Sequence, residues 1–278
     1  METLRLPVGK LVLDAVATGP ADGAPVLLLH GFPQTSASWR SIWPVLAGAG
    51  YRVVAPDQRG YSPGARPDGV AGYRMPALVG DVLGLLDALG LADAHVVGHD
   101  WGAAVAWQLA ARHPDQVRSL TAVSVPHPLA FADALRRDPD QRHRSQYMRE
   151  FAQPGAEHAL LADDAAGLRA LFSDAAGTVD VDAVLAVAGE PAVLRRCLDW
   201  YAAQSRDDLA GLGPVTAPTL HVWSDGDRAL GRTAAEATGK HVAGPYRLAV
   251  LPGVSHWVPE QAPEALSALL LEHLAAAG

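Results

Sequence analysis

Short apolar runs alternate with helical patterns along much of the chain. Residues 25–30 are continuously apolar, as expected for a strand buried on both faces of a sheet. Between residues 75 and 89, apolar side chains recur at helical spacing. Further strands are predicted at 10–17, 52–55, 94–98, 119–125, 219–223 and 246–251, and further helices at 36–46, 101–112 and 263–277. This alternation predicts an α/β fold with a mostly parallel central sheet flanked by helices.

The pattern breaks in the middle of the chain. Residues 126–213 carry no strong strand signal but contain helical stretches at 167–172 and 192–203. We interpret this segment as a helical cap inserted into the α/β core. The predicted organisation is therefore a first part of the core at 1–125, a cap at 126–213 and a second part of the core at 214–278.

Charge and composition exclude several classes of protein. The 278 residues carry a formal net charge of -8, so nucleic acid is a poor partner. The sequence has no basic amphipathic helix to suggest a membrane surface, and no apolar stretch long enough to span a bilayer. Its N-terminus lacks a positive region followed by an apolar core, which argues against a signal peptide. The single cysteine, Cys197, fits a reducing cytoplasm.

The segment from Val96 to Gly102 reads as a strand, then Gly-x-Asp-x-Gly, then a helix. Small flanking residues let strand and helix approach closely, as in a nucleophile elbow, where serine usually occupies the centre. Here the centre is Asp100. A carboxylate is stabilised at a helix N-terminus and can attack a saturated carbon to form an ester. The alternative interpretation is a helix N-cap, and the residues downstream favour the nucleophile.

Hydrolysis of such an ester needs a base, and suitable residues follow in the expected chain order, acid before histidine. His256 comes shortly after the last predicted strand, and Asp227 lies in the acidic turn after strand 219–223. We predict that His256 takes a proton from water while Asp227 orients it. Asp225 in the same turn is the competing acid, and we favour Asp227. The alternatives are a loop histidine and turn aspartates.

An oxyanion site is predicted at His30-Gly31-Phe32-Pro33, directly after the strand predicted at 25–30. Its backbone can bring the N–H of Phe32 to a developing oxyanion, and the N–H of Trp101 is the second donor. Without an elbow, the same four residues would be a plain turn from strand to loop.

Five segments together resemble the epoxide hydrolase branch of the α/β-hydrolase family, over nearly the whole chain. They are His30-Gly31-Phe32-Pro33, Asp57 to Ser62, Gly98 to Gly102, Trp223 to Asp227 and Gly253 to Trp257. The resemblance implies an α/β-hydrolase fold with a cap. It also implies conversion of an epoxide to a vicinal diol through a hydroxyalkyl ester on Asp100. We interpret the Arg59-Gly60 part of the second segment as structural.

Two cap tyrosines are implied as acids by the same resemblance. Tyr147, within Ser145 to Gly155, and Tyr201, after Asp199-Trp200, lie in segments similar to those that bear the family's tyrosines. Their phenols would hold the epoxide oxygen and protonate it as the ring opens. The alternative for each is a helix residue whose ring packs against apolar neighbours while its hydroxyl is exposed to water. The expected substrate pocket contains His30, Pro33, Trp101, Phe151, Trp200 and Trp257.

The sequence departs modestly from the family pattern in the cap. Glu150 stands where an aromatic residue is common, and Ala202-Ala203 stand where polar residues are usual. Both departures leave the shape of the pocket and the size of the substrate open.

A dehalogenase is the main alternative because it uses the same nucleophile. A departing halide needs N–H donors, and Trp101 can supply one. Haloalkane dehalogenases, however, usually have Asn where Phe32 stands or a second halide-binding Trp, and the fluoroacetate type has Arg directly after the nucleophile. An esterase would have Ser at position 100. A non-catalytic ligand-binding protein would be favoured if Asp100, Asp227 or His256 were missing, and all three are present.

No cofactor or metal is expected, because the sequence has no Cys/His cluster and no glycine-rich phosphate loop. The expected partners are a small-molecule epoxide and water, with no nucleic acid and no membrane. The sequence selects no particular epoxide and no oligomeric state.

Overall fold

One mixed sheet organises the protein. The computed structural model describes residues 1–175 and 177–278, and within them eight strands lie in the order β1-β2-β4-β3-β5-β6-β7-β8. The strands are β1 (Glu2–Val8), β2 (Leu11–Thr18), β3 (Pro25–Leu29), β4 (Arg52–Pro56), β5 (Ala94–His99), β6 (Val117–Val123), β7 (Thr219–Ser224) and β8 (Tyr246–Leu251). Strand β2 pairs antiparallel with β1 and β4, and all pairs from β4 to β8 are parallel. The prediction of a mostly parallel sheet is confirmed.

Helices cover both faces of this sheet. They are α1 (Trp43–Gly48), α2 (Met75–Leu89), α3 (Trp101–Arg112), α4 (Pro128–Arg137), α5 (Pro139–Arg144), α6 (Tyr147–Phe151), α7 (Ala156–Ala170), α8 (Val181–Ala188), α9 (Pro191–Ala202), α10 (Arg232–Ala237), α11 (Val258–Gln261) and α12 (Pro263–Ala276). Within the described ranges, none of these helices has the length and apolarity needed to cross a bilayer.

Strand β3 shows why the first apolar run is continuous. Leu27 and Leu29 join the core on the face covered by α2 and α3, whereas Val26 and Leu28 join the core covered by α1 and α12. Successive side chains of a strand point to opposite faces, so a strand covered on both sides needs apolar residues at every position.

The structure differs from the sequence prediction at two elements. The helix predicted at 36–46 is wrong: a 3-10 turn at Ser36–Trp39 is followed by the separate helix α1. Pro44 explains the break, because proline lacks an N–H and its ring clashes with the carbonyl four residues earlier in a continuous helix. Strand β1 was not predicted, since it is a mostly exposed edge strand that contains Pro7.

The segment between β6 and β7 contains α4 to α9 and a 3-10 turn at Arg206–Leu209, joined by turns and loops. The division into core and cap at 126 and 213 remains our interpretation. Helix α9 rests on the loop after β4: the Trp200 indole donates to the Arg59 carbonyl at 2.9 Å. Arg59 itself pairs with the buried Asp81 of α2, at 2.7 and 2.5 Å. This supports a structural role for the Arg59-Gly60 loop.

The crossing of β3 and α3 leaves no room for a side chain. A Cβ placed on Gly102 would lie 2.1 Å from the carbonyl oxygen of Leu29. The glycine therefore sets how closely the N-terminus of α3 approaches the carboxyl end of the sheet.

We predict that Gly102→Ala lowers the free energy of unfolding by about 3 kcal/mol, the upper range for overpacked positions. Gly80→Ala is the matched control, because Gly80 lies in α2 and a Cβ placed on it would have nothing within 4 Å. It should raise stability by up to about 1 kcal/mol, since alanine loses less entropy than glycine in a helix. Urea unfolding followed by circular dichroism measures both, and equal effects would refute the close approach.

Candidate active site

Asp100 occupies a strained turn between β5 and α3. Its φ of 51° and ψ of -121° lie outside the regions that residues other than glycine normally adopt, at a cost of about 1–3 kcal/mol. The side chain makes no N-cap hydrogen bond to α3. One carboxylate oxygen instead accepts the N–H of Phe32 at 2.8 Å. A Cβ on Gly31 would lie 2.3 Å from the Asp100 Cβ, so the loop and the nucleophile candidate are in close contact.

His256 lies between two carboxylates. Its Nδ1 is 2.8 Å from Asp227 Oδ2, and its Nε2 is 3.5 Å from Asp100 Oδ2. The three groups come from loops after β8, β7 and β5, which all end at the same edge of the parallel sheet. The structure thus brings together the nucleophile, base and acid that the sequence predicts.

The competition between the two turn aspartates is resolved by their hydrogen bonds. Asp227 is 1% exposed, and its second oxygen accepts the N–H groups of Ala229 and Leu230 at 2.7 and 3.0 Å. Asp225 is exposed and accepts the N–H of Gly253 at 2.6 Å. Asp225 therefore stabilises the neighbouring turn, while Asp227 contacts His256.

The charges of these groups depend on one another. Burial opposes ionisation of Asp100, but hydrogen bonding and attraction to His256, together with the Phe32 N–H, lower its pKa below the ordinary value. Burial also opposes protonation of His256, yet the Asp227 and Asp100 carboxylates raise the pKa of His256 well above its usual value. The unliganded site therefore holds an imidazolium between two carboxylates.

Three residues that sequence reasoning missed fix the backbone of this site. Nε2 of His99 lies 2.9 Å from the carbonyl oxygen of His256, and the Ser124 hydroxyl donates to the same oxygen at 3.1 Å. Burial and the nearby His256 lower the pKa of His99 to about 4, so His99 is neutral and can donate this bond. From α5, the Arg144 guanidinium donates to the Asp227 carbonyl at 2.6 Å. Of the three, only His99 carried a sequence signal, its place inside the elbow.

Both predicted tyrosines lie beside the elbow. The Tyr201 ring packs edge-on against Trp101 and Phe32, with centroids 5.1 and 5.3 Å away. The Tyr147 and Tyr201 ring centroids are 6.1 Å apart. Burial and the Asp100 charge raise the pKa of both phenols, which keeps them protonated.

The other predicted pocket residues divide into two groups. Phe151 packs against Phe32 and both tyrosines at centroid distances of 5.2 to 5.5 Å, and Trp200 packs against Trp101 at 5.6 Å. Pro33 is buried directly after Phe32. Phe151 and Trp200 therefore belong to the aromatic cluster around Phe32, Trp101 and the two tyrosines, and the predicted pocket stays a prediction.

His30 and Trp257, also predicted for the pocket, form hydrogen bonds with the protein backbone. His30 is fully buried; its Nε2 accepts the Gln58 N–H at 2.9 Å, and its Nδ1 lies 3.0 Å from the Gly31 carbonyl oxygen. Both ring nitrogens of His30 therefore hold the loop, and contact of His30 with substrate stays a prediction. The Trp257 ring packs edge-on against His256 at 5.2 Å, and its indole donates to the Leu171 carbonyl at 3.2 Å.

This geometry combines three chemical functions. An ionised carboxylate can attack carbon, an imidazole with its own carboxylate can move a proton, and two protonated phenols can donate one. The Phe32 N–H can stabilise negative charge on an oxygen of Asp100.

Comparison with known proteins agrees with this chemistry. The α/β hydrolase fold family matches residues 24–263. The chain is 35% identical over 275 residues to the AB hydrolase superfamily protein YfhM of Bacillus subtilis, covering 95% of this chain and 94% of that protein. It is 34% identical over 300 residues to Epoxide hydrolase A of Mycobacterium tuberculosis, covering 91% of each.

Solved structures give the same result. An epoxide hydrolase from metagenomes of hot environments superposes with a TM-score of 0.86 at 31% identity, covering 99% of this chain and 98% of that one. Epoxide Hydrolase A from Mycobacterium thermoresistibile gives a TM-score of 0.84 at 30% identity, covering 98% of each chain.

We predict that Asp227→Asn lowers the pKa of His256, because it removes the buried negative charge 2.8 Å from Nδ1. Asp225→Asn, the matched control in the same turn, should leave that pKa unchanged. NMR titration of the His256 ring measures both. A larger shift in the Asp225 variant would reverse the assignment of the acid.

Proposed function

The chain belongs to the epoxide hydrolase branch of the α/β-hydrolase family, and on that premise we propose that it converts an epoxide to a vicinal diol at Asp100. The observation that carries the proposal is the position of His256, which bridges Asp100 and Asp227 near two protonated phenols. The proposed substrate of the enzyme is a small-molecule epoxide, and the co-reactant is water.

Ring opening is the first step that we propose. The Asp100 carboxylate attacks one epoxide carbon, the carbon–oxygen bond breaks, and Tyr147 or Tyr201 donates a proton to the departing oxygen. The raised pKa of both phenols keeps that proton available at neutral pH. The product is a hydroxyalkyl ester on Asp100.

Ester hydrolysis is the second step. Ester formation removes the charge of Asp100, one of the two carboxylates that raise the His256 pKa, so the imidazolium can pass its proton to the phenolate left by ring opening. The neutral imidazole then takes a proton from water. Water attacks the ester carbonyl while the Phe32 N–H, and the Trp101 N–H as we predict, stabilise the oxyanion. The diol leaves, and the two protons of water end on the diol and on His256, which restores the resting enzyme.

The arrangement of Trp101 favours epoxide over halide as the reacting group. Its indole packs edge-on against the Tyr201 ring, with centroids 5.1 Å apart, so a proton-donating phenol lies beside the side chain that a halide would need. The phenols supply the proton that an opening epoxide requires and a halide does not.

The single cysteine, Cys197, is buried in α9 and supports a cytoplasmic location.

The ester route predicts where oxygen from water goes first. In one turnover of styrene oxide in heavy-oxygen water, with enzyme in excess, the label should enter Asp100 and the diol should remain unlabelled. This follows because water attacks the ester carbonyl and not the epoxide carbon. Mass spectrometry of the diol and of the peptide containing Asp100 measures both products, and a labelled diol would contradict the ester.

Tyr147→Phe combined with Tyr201→Phe should slow ester formation by about 10²-fold or more, because general acids typically contribute 10²–10⁴-fold. The rings, and hence the packing, are retained. Tyr246→Phe is the matched control on β8, where the hydroxyl lies 3.5 Å from His221 and away from Asp100. Pre-steady-state kinetics with styrene oxide provide the test; an unaffected double variant would exclude the phenols as acids.

A further inference from the structure

A part-buried side-chain pair, Gln34 and Glu260, connects the turn that carries Phe32 with the loop that carries His256. Gln34 donates through Nε2 to the Glu260 carboxylate. Gln34 also closes the turn around Phe32, because its N–H bonds to the Gly31 carbonyl at 2.9 Å. Glu260 lies in α11, which begins on the catalytic loop: the Val258 N–H donates to the His256 carbonyl at 2.9 Å. The pair therefore joins the turn that presents the Phe32 N–H to the helix that starts at His256.

We propose that Gln34 and Glu260 are positioning residues for ester hydrolysis, holding the oxyanion turn and the His256 loop at a fixed separation. The proposal rests on the proposed function, since it assigns a role within that reaction. Ring opening uses Asp100 and the two phenols. Hydrolysis uses the Phe32 N–H and His256 at the same moment, so only this second step depends on the separation of the two loops.

The surroundings of the pair make its hydrogen bond necessary. Gln34 is 3% exposed, and Gln34 Oε1 and Glu260 Oε2 are buried atoms without a hydrogen-bond partner in residues 1–175 and 177–278. Loss of one partner would leave the other with no group to bond among those residues, and a buried unpaired polar group moves or admits water.

The charge state of Glu260 fits a positioning role. Burial raises its pKa to about 8, against the lowering effects of the Gln34 hydrogen bond, Arg40 and His256. Near neutral pH the carboxyl group is therefore mostly uncharged. It can hold Gln34 without adding a third negative charge near His256, which would raise the pKa of that base further.

The experiment resolves the two half-reactions in single variants. Wild type, Gln34→Leu and Glu260→Leu are mixed with substoichiometric styrene oxide, quenched in acid, and analysed for the ester on Asp100 and for diol. We expect ester formation within about twofold of wild type in both variants. Ester hydrolysis should slow by about tenfold to a hundredfold, so that the ester accumulates, as small misplacements of reacting groups cause losses of this size.

Two further variants separate positioning from folding. Glu260→Gln keeps a neutral acceptor for Gln34 and should hydrolyse the ester within about threefold of wild type. The swapped double variant, Gln34→Glu with Glu260→Gln, restores the pair with its ends exchanged and should recover most of the hydrolysis rate lost in either leucine variant.

Gln108→Leu is the matched control. It removes a buried glutamine whose Nε2 donates to the Asp208 carbonyl at 3.0 Å, at the far end of α3. It should lower thermal stability without selectively slowing either step.

The outcomes distinguish this inference from the proposed function. If both leucine variants hydrolyse the ester at the wild-type rate, the pair has no positioning role. The same conclusion follows if both variants lose ester formation and ester hydrolysis equally and the swapped double variant recovers neither step. If wild type itself forms no ester with styrene oxide and related epoxides, the proposed function fails instead.

Discussion

The site depends on a buried carboxylate that is held as an anion in a strained turn. Asp100 has a φ of 51°, and its carboxylate lies between the Phe32 N–H and His256. Such a turn persists only where the surrounding structure holds it. Here the packing of α3 onto β3 at Gly102 and the contact of Gly31 with Asp100 provide that support. Because parallel strands end at one edge of the sheet, the same arrangement brings Asp227 and His256 to the nucleophile.

The chemistry is divided between two parts of the chain. The loops of the sheet supply the carboxylate and the base, whereas helices α6 and α9 supply the phenols. In the proposed reaction, electrostatics order the two steps: two carboxylates hold His256 protonated while Asp100 is free, and esterification of Asp100 removes the charge of one of them. The base thus becomes available when it has an ester to hydrolyse. Contacts from Arg144 to Asp227 and from Trp257 to Leu171 connect the helical segment to the catalytic loops.

Much of this could be predicted from the sequence, because the relevant signals are local. The elbow, the apolar strands and the order of acid and histidine are short patterns whose physics requires particular residues. The hold of His30 on its loop is not predictable, since a motif does not show that both ring nitrogens contact the neighbouring backbone. The Gln34–Glu260 contact has no sequence signature, as its members are 226 residues apart and neither belongs to a spaced motif. The break at Pro44 has a local signal, because proline is disfavoured inside a helix.

The central claim is that Asp100 forms a covalent ester with an epoxide. The most direct test uses a His256→Gln variant, which keeps the nucleophile and the phenols but cannot activate water. After incubation with styrene oxide, the intact protein should gain the mass of one epoxide, and proteolysis should locate the adduct on the peptide that contains Asp100. Unchanged mass, or an adduct on any other residue, would contradict the account.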